Sequence, residues 1–91
     1  MRKKYLKVKH FENDEIIDFD FNEENQFVIV TKKTITLWNS TKDQIYIKPF
    51  EQSDSNAVLF ASYVRKKGEV FGTGELYVCR QKTIEVASIS F

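Results

Sequence analysis

The sequence predicts an all-β fold, a small antiparallel meander of eight or nine short strands forming a barrel or a sandwich. Three observations predict it. Apolar residues recur with a period of two, as in Asp18-Phe19-Asp20-Phe21, where a helix would repeat every 3.6. Clusters of Asn, Ser, Asp, Gly and Lys interrupt these runs at short intervals. No window of about twelve residues carries a helical stripe of apolar side chains.

The elements follow in order. In Glu15 to Phe21, the alternation puts Ile17, Phe19 and Phe21 on one face and Asp18 and Asp20 on the other, which reads as a half-buried strand with a wet acidic face. Asn22 to Asn25 is a turn, and Gln26 to Thr31 a second strand rich in β-branched and aromatic residues. Thr34 to Trp38 is its return strand. A two-residue Lys32-Lys33 loop pairs Val30 with Ile35 and Val28 with Leu37 on one face, and Ile29 with Thr36 and Phe27 with Trp38 on the other. Lys-Lys is poor primed-turn chemistry, so a four-residue loop is the alternative. Asn39 to Asp43 turns the chain, Gln44 to Lys48 is a short strand, and Pro49 is expected to stop the ladder because it has no N–H.

Glu51 to Asn56, six residues without an aliphatic or aromatic side chain, reads as the main surface loop. Ala57 to Val64 is a strand, Arg65-Lys66-Lys67-Gly68 its turn, and Glu69 to Phe71 the start of another strand. Gly72-Thr73-Gly74 bends the backbone. Glu75 to Arg80 and Thr83 to Ser90, joined by Gln81-Lys82, form a final hairpin. The expected core is Phe19, Phe21, Val28, Val30, Ile35, Leu37, Leu59 and Val78.

Residues 1–91 make one domain at 10.7 kDa, since two would each fall near the size where folding alone becomes marginal. Fourteen basic and thirteen acidic side chains leave a net charge of +1, which argues against both a basic nucleic-acid coat and an acidic DNA mimic. Cys79 is the single cysteine, so no disulfide framework is possible, and a lone thiol suits a reducing cytoplasm. The charges of residues 2–9 interrupt any signal-peptide core, and no run approaches a membrane span, so a cytoplasmic location without membrane contact is expected.

Residues 10–50 carry His10, then Ile-Ile-Asp-Phe-Asp-Phe-Asn, then Phe-Val-Ile-Val-Thr, then Thr-Ile-Thr-Leu-Trp-Asn and a fourth strand. This resembles one blade of a WD-repeat β-propeller. The resemblance implies a buried network in which His10, Thr31 and Trp38 take three of four places. Lys32-Lys33 stands where the family has its Asp, Lys9 where it has Gly, and Asn39 where it has the Asp after Trp. Two blades' worth of residues fall short of the four that close a propeller ring.

Catalytic signatures are few. One His and one Cys cannot build a zinc site of four Cys or His ligands or a CxxC redox pair, and Gly68, Gly72 and Gly74 precede Glu75 and a strand where a phosphate loop would need a Lys and a helix. No enzyme activity, cofactor or metal is expected. Charge is instead zoned. Glu12 to Glu24 holds seven carboxylates and no cation, with Asp18 and Asp20 on one strand face. Basic residues gather at Arg2, Lys3, Lys4, Lys7 and Lys9, with Tyr5 among them, and at Arg65, Lys66 and Lys67.

These features favour a non-enzymatic protein-binding domain, an inhibitor or scaffold that occludes another protein through Arg65, Lys66, Lys67, Asp18 and Asp20. The abundance of Lys, Ile, Asn and Phe suits a low-GC bacterium or its phage. The alternative is a nucleic-acid-binding small β-barrel using Arg2, Lys3, Lys4, Tyr5, Lys7, Lys9 and the Arg65 turn. Unpaired strand edges predict self-association, with a dimer as the commonest solution.

Overall fold

Alternation along the chain produces seven strands in two antiparallel sheets in the computed structural model, which describes residues 5–6, 9–11 and 14–91. The first sheet is a meander of β1 (Asp18–Phe21), β2 (Gln26–Val30), β3 (Thr34–Asn39) and β4 (Gln44–Pro49), ordered β1-β2-β3-β4. The second comprises β5 (Val58–Arg65), β6 (Gly74–Arg80) and β7 (Ile84–Ile89), ordered β5-β6-β7. The arrangement is sandwich-like and is not a closed barrel. Among the described residues, no helix is long and apolar enough to cross a membrane.

Local chemistry fixes the turns. Asn22 Oδ1 accepts hydrogen bonds from the backbone N–H of Glu24 and Gln26, and Asn25 adopts a positive φ of 62°, as a short polar side chain tolerates. The β2–β3 register is the one expected for the two-residue loop, pairing Val30 with Ile35 and Phe27 with Trp38. Thr31 makes the loop possible without glycine, because its Oγ1 accepts from Lys33 N at 3.1 Å and Thr34 N at 3.0 Å.

Pro49 does not end the ladder. Phe50 N still donates to Lys33 O at 2.7 Å, so the missing N–H of Pro49 falls on the open edge of β4, where nothing is lost. Residues 69–71 are turn, not strand, since Gly68 (φ 83°) and Gly72 (φ 94°) close two successive turns around them.

The core lies between the sheets. Val28, Val30, Ile35 and Leu37 pack against Val58, Ala61, Tyr63, Leu76 and Val78, with Ile17, Phe50, Phe71, Ile89 and Phe91 at the margins. Three expected core residues are elsewhere. A register shift between Val58 and Phe60 turns Leu59 outward. Phe19 and Phe21 are 59% and 58% exposed, because β1 is inverted relative to the expectation and its aspartates face the second sheet.

Arg80 anchors the crossing between sheets. It is buried, and its guanidinium donates to Glu85 Oε1 (2.8 Å), Asn56 O (3.2 Å) and Glu51 O (2.7 Å). One arginine thereby ties both ends of the polar 51–56 loop to the final hairpin.

Candidate functional site

Register alone assembles the most distinctive surface. On the outer face of the first sheet, Phe19, Ile29, Thr36 and Ile47 form one cross-strand row, and Phe21, Phe27, Trp38 and Ile45 the next. Thr36 is the one polar member. Neighbouring rings lie close along this face: Phe19 and Phe21 have centroids 6.1 Å apart, Phe21 and Phe27 6.4 Å, and Phe27 and Trp38 5.3 Å. Contacts of this kind contribute about 0.5 to 1.5 kcal/mol beyond area burial.

The face is partly roofed. Lys9, Phe11 and Ile16 join Phe19, Phe27, Ile29 and Trp38 around a shallow cavity of about 320 Å³. The Lys9 ammonium sits 4.9 Å from the Trp38 ring centroid, a cation–π arrangement. Trp38 and Ile29 are buried as a result, whereas Phe19, Phe21, Ile45 and Ile47 remain exposed. The second sheet's outer face also carries apolar groups, Phe60, Cys79 and Ile84 in one cross-strand row and Tyr77 and Val86 in the next, bordered by Ser62, Glu75 and Ser88.

The expected site residues are placed differently. Asp18 Oδ2 accepts from Ser62 Oγ at 3.0 Å and Tyr63 N at 2.8 Å. Asp20 takes a two-pronged bond from Arg65, 2.8 Å from Nε and 2.7 Å from Nη2, and Arg65 also donates to Phe21 O at 2.6 Å. The Arg65 guanidinium lies over the Phe71 ring at 4.9 Å. The acidic and basic zones are thus not kept apart at this point, because Asp20 and Arg65 neutralise one another across the sheets. The hydrogen bond to Asp20 holds Arg65 still more firmly protonated than usual.

Lys66 and Lys67 stay on an exposed turn, and Tyr5 is exposed. Arg2, Lys3, Lys4 and Lys7 lie outside the described residues. His10 is exposed, and Cys79 is half-buried on the outer side of β6. Of the three blade-like network residues, Thr31 spends its hydroxyl on its own turn and Trp38 Nε1 donates to Asp43 Oδ1 at 3.3 Å. Among the described residues, no hydrogen bond joins His10, Thr31 and Trp38. No group of three His, Cys, Asp or Glu side chains among the described residues is arranged to hold a metal ion.

Tyr63 lies between the two sheets. Burial raises its phenol pKa above the usual 10.0, the Asp20 charge adds to the rise, and Arg65 opposes it. Its hydroxyl is buried near the Gly72 backbone without a well-formed hydrogen bond.

One signal in the sequence pointed to the outer face. Strands β2 and β3 are apolar on both sides, with Val28, Val30, Ile35 and Leu37 on one and Phe27, Ile29 and Trp38 on the other. Period-two reasoning therefore could not say which side β1 would complete with phenylalanines. Comparison with family models, curated proteins and solved structures finds no match.

Proposed function

We propose that the chain is a non-enzymatic protein-binding domain, which holds or occludes another protein on the outer face of its first sheet. The observation that carries this reading is a pair of exposed apolar clusters on one face, Phe19 and Phe21 on β1 and Ile45 and Ile47 on β4, on either side of the roofed Trp38. Exposed aromatic and aliphatic clusters rimmed by polar residues mark interaction surfaces. Aromatic anchors flanked by polar groups, here Asn22, Glu23 and Glu24 beside Phe21, follow the usual anatomy of a protein interface. An inhibitor or scaffold needs no more than such a surface on a stiff support.

Affinity capture from a lysate of the source cell tests the reading, with nuclease-treated and untreated samples compared and a Phe19→Glu/Phe21→Glu bait run beside the wild type. The expected result is a protein retained by the wild-type bait after nuclease and in high salt, and lost from the double variant. Capture that disappears with nuclease, or that survives the double variant undiminished, overturns it. Both substitutions fall on exposed positions, so the bait should keep its fold.

A further inference from the structure

We infer that β4 is a self-complementary edge, through which two copies of the chain pair antiparallel about a two-fold axis at Tyr46. Every residue of β4 is exposed. Because Phe50 N points to β3, alternation along the strand puts the N–H groups of Gln44, Tyr46 and Lys48 toward β3 and those of Ile45 and Ile47 outward. The outward set is bounded on both sides: Pro49 has no N–H to offer, and Asp43 leaves the strand with a φ of 50°. The pairing window is therefore residues 44–48.

That window reads Gln-Ile-Tyr-Ile-Lys, a palindrome in chemical type. Laid antiparallel on itself, it pairs Ile45 with Ile47 of the second copy through both outward N–H and C=O groups, and the two-fold repeats the exchange. Tyr46 meets Tyr46 of the second copy, and Gln44 meets Lys48, so no like charges are opposed. A shift by two residues in either direction loses one of these exchanges, to Pro49 or to the Asp43 turn.

The same pairing continues the outer face. The row Phe21, Phe27, Trp38 and Ile45 runs on into Ile47, Thr36, Ile29 and Phe19 of the second copy. The other strand edges are less suited. Side chains of Asp18 and Arg65 occupy backbone groups at the edges of β5 and β1. Edge strand β7 carries the inward-pointing Glu85, held by Arg80, and inward charges on edges discourage pairing. A second copy is thus the occupant that β4 fits. The inference stands independently of the protein-binding reading.

Cysteine cross-linking in a Cys79→Ser background and sedimentation test it. Under mild oxidation Tyr46→Cys should give a disulfide-linked dimer, since non-hydrogen-bonded cross-strand neighbours come within disulfide reach, whereas Gln44→Cys alone should not. In sedimentation of the otherwise native chain, Gln44→Lys should weaken the dimer roughly tenfold, because the two-fold repeats each new Lys–Lys opposition, and Gln44→Glu should tighten it. Gln44 is exposed, and a circular dichroism melt checks that each variant folds. The inference is overturned by a monomer at every concentration, by equal dissociation constants for the two Gln44 variants, or by cross-linking of Val86→Cys at a yield equal to or above that of Tyr46→Cys.

Discussion

The two sheets meet along two seams, and the seams are built on opposite plans. At the β1/β5 seam, side chains seal the gap: Asp18 caps the N–H of Tyr63, Asp20 grips Arg65, and Arg65 takes the carbonyl of Phe21. At the β4/β7 seam the sheets stand apart. A cavity of about 230 Å³ there reaches Ile35, Leu76 and Val78 of the core. It is crossed at one end by Lys48, which donates to Ser90 O at 2.8 Å and lies 5.1 Å from the Phe91 ring. At the other end Arg80 binds the 51–56 loop. The contrast teaches that charge on a strand can close a sandwich as well as face water. Its cost is that the aromatic residues alternating with that charge are pushed outside.

Breaking the polar anchor of the open seam should have the largest effect. Arg80→Ala leaves two loop carbonyls without their donor, and hydrogen bonds from a charged donor contribute about 1.5 to 3 kcal/mol each. The expected loss is about 3 kcal/mol or more in chemical denaturation. An Arg80→Ala protein within 1 kcal/mol of the parent, roughly the value of one ordinary hydrogen bond, would show that the loop does not depend on its anchor.

The closed seam should follow. Asp18→Ala removes the acceptor for Tyr63 N and Ser62 Oγ, for an expected loss of about 2 to 3 kcal/mol. Amide hydrogen exchange at Tyr63 should accelerate in the variant while exchange in β3 is less affected, which separates a seam effect from general unfolding.

Phe19→Ala should be much milder. A core phenylalanine costs about 3 to 5 kcal/mol on truncation, but Phe19 sits on the outer face, so about 1 kcal/mol or less is expected. A loss in the core range would mean that β1 has its other face inward.

The smallest effect is expected at Tyr63. Tyr63→Phe deletes a buried hydroxyl that lacks a good partner, so stability near neutral pH should change by about 0.5 kcal/mol or less. The pH dependence sharpens this. The folded-state pKa of the phenol is raised, so the folded protein holds this proton more tightly than the unfolded chain does. Its contribution to stability is full below the ordinary tyrosine value of 10.0 and declines as pH rises from there through the folded-state value. Thermal melts of the parent and Tyr63→Phe should coincide at neutral pH and diverge above that point, with the parent falling faster.

Much of the fold was legible without coordinates. Period-two alternation located the strands, and the Asn22–Asn25, Lys32-Lys33 and Gln81-Lys82 turns fell where local chemistry put them, because turn geometry and pairing register are short-range properties. Five of the eight expected core residues, Val28, Val30, Ile35, Leu37 and Val78, are buried. Leu59 was misplaced by a register shift that no local pattern announces. The pairing of Asp20 with Arg65 spans 45 positions, and together with the bonds of Asp18 to Ser62 and Tyr63 it turns Phe19 and Phe21 outward.

By itself, then, the sequence determined the class of fold, the β2–β3 pairing that a two-residue loop imposes, and the alternation that gives a strand two faces. Only the tertiary structure decided which face of β1 is inside. Alternation specifies that Phe19 and Phe21 oppose Asp18 and Asp20, but a period of two is symmetric between inside and outside. What breaks the symmetry is a set of partners distant in sequence: the unpaired N–H of Tyr63, the hydroxyl of Ser62 and the guanidinium of Arg65. The Tyr63 N–H and Ser62 hydroxyl, part-buried at the edge of β5, can be satisfied by a carboxylate and not by a phenyl ring, and the exposed Arg65 adds an ion pair, so the aspartates turn inward and two aromatic rings are left facing water.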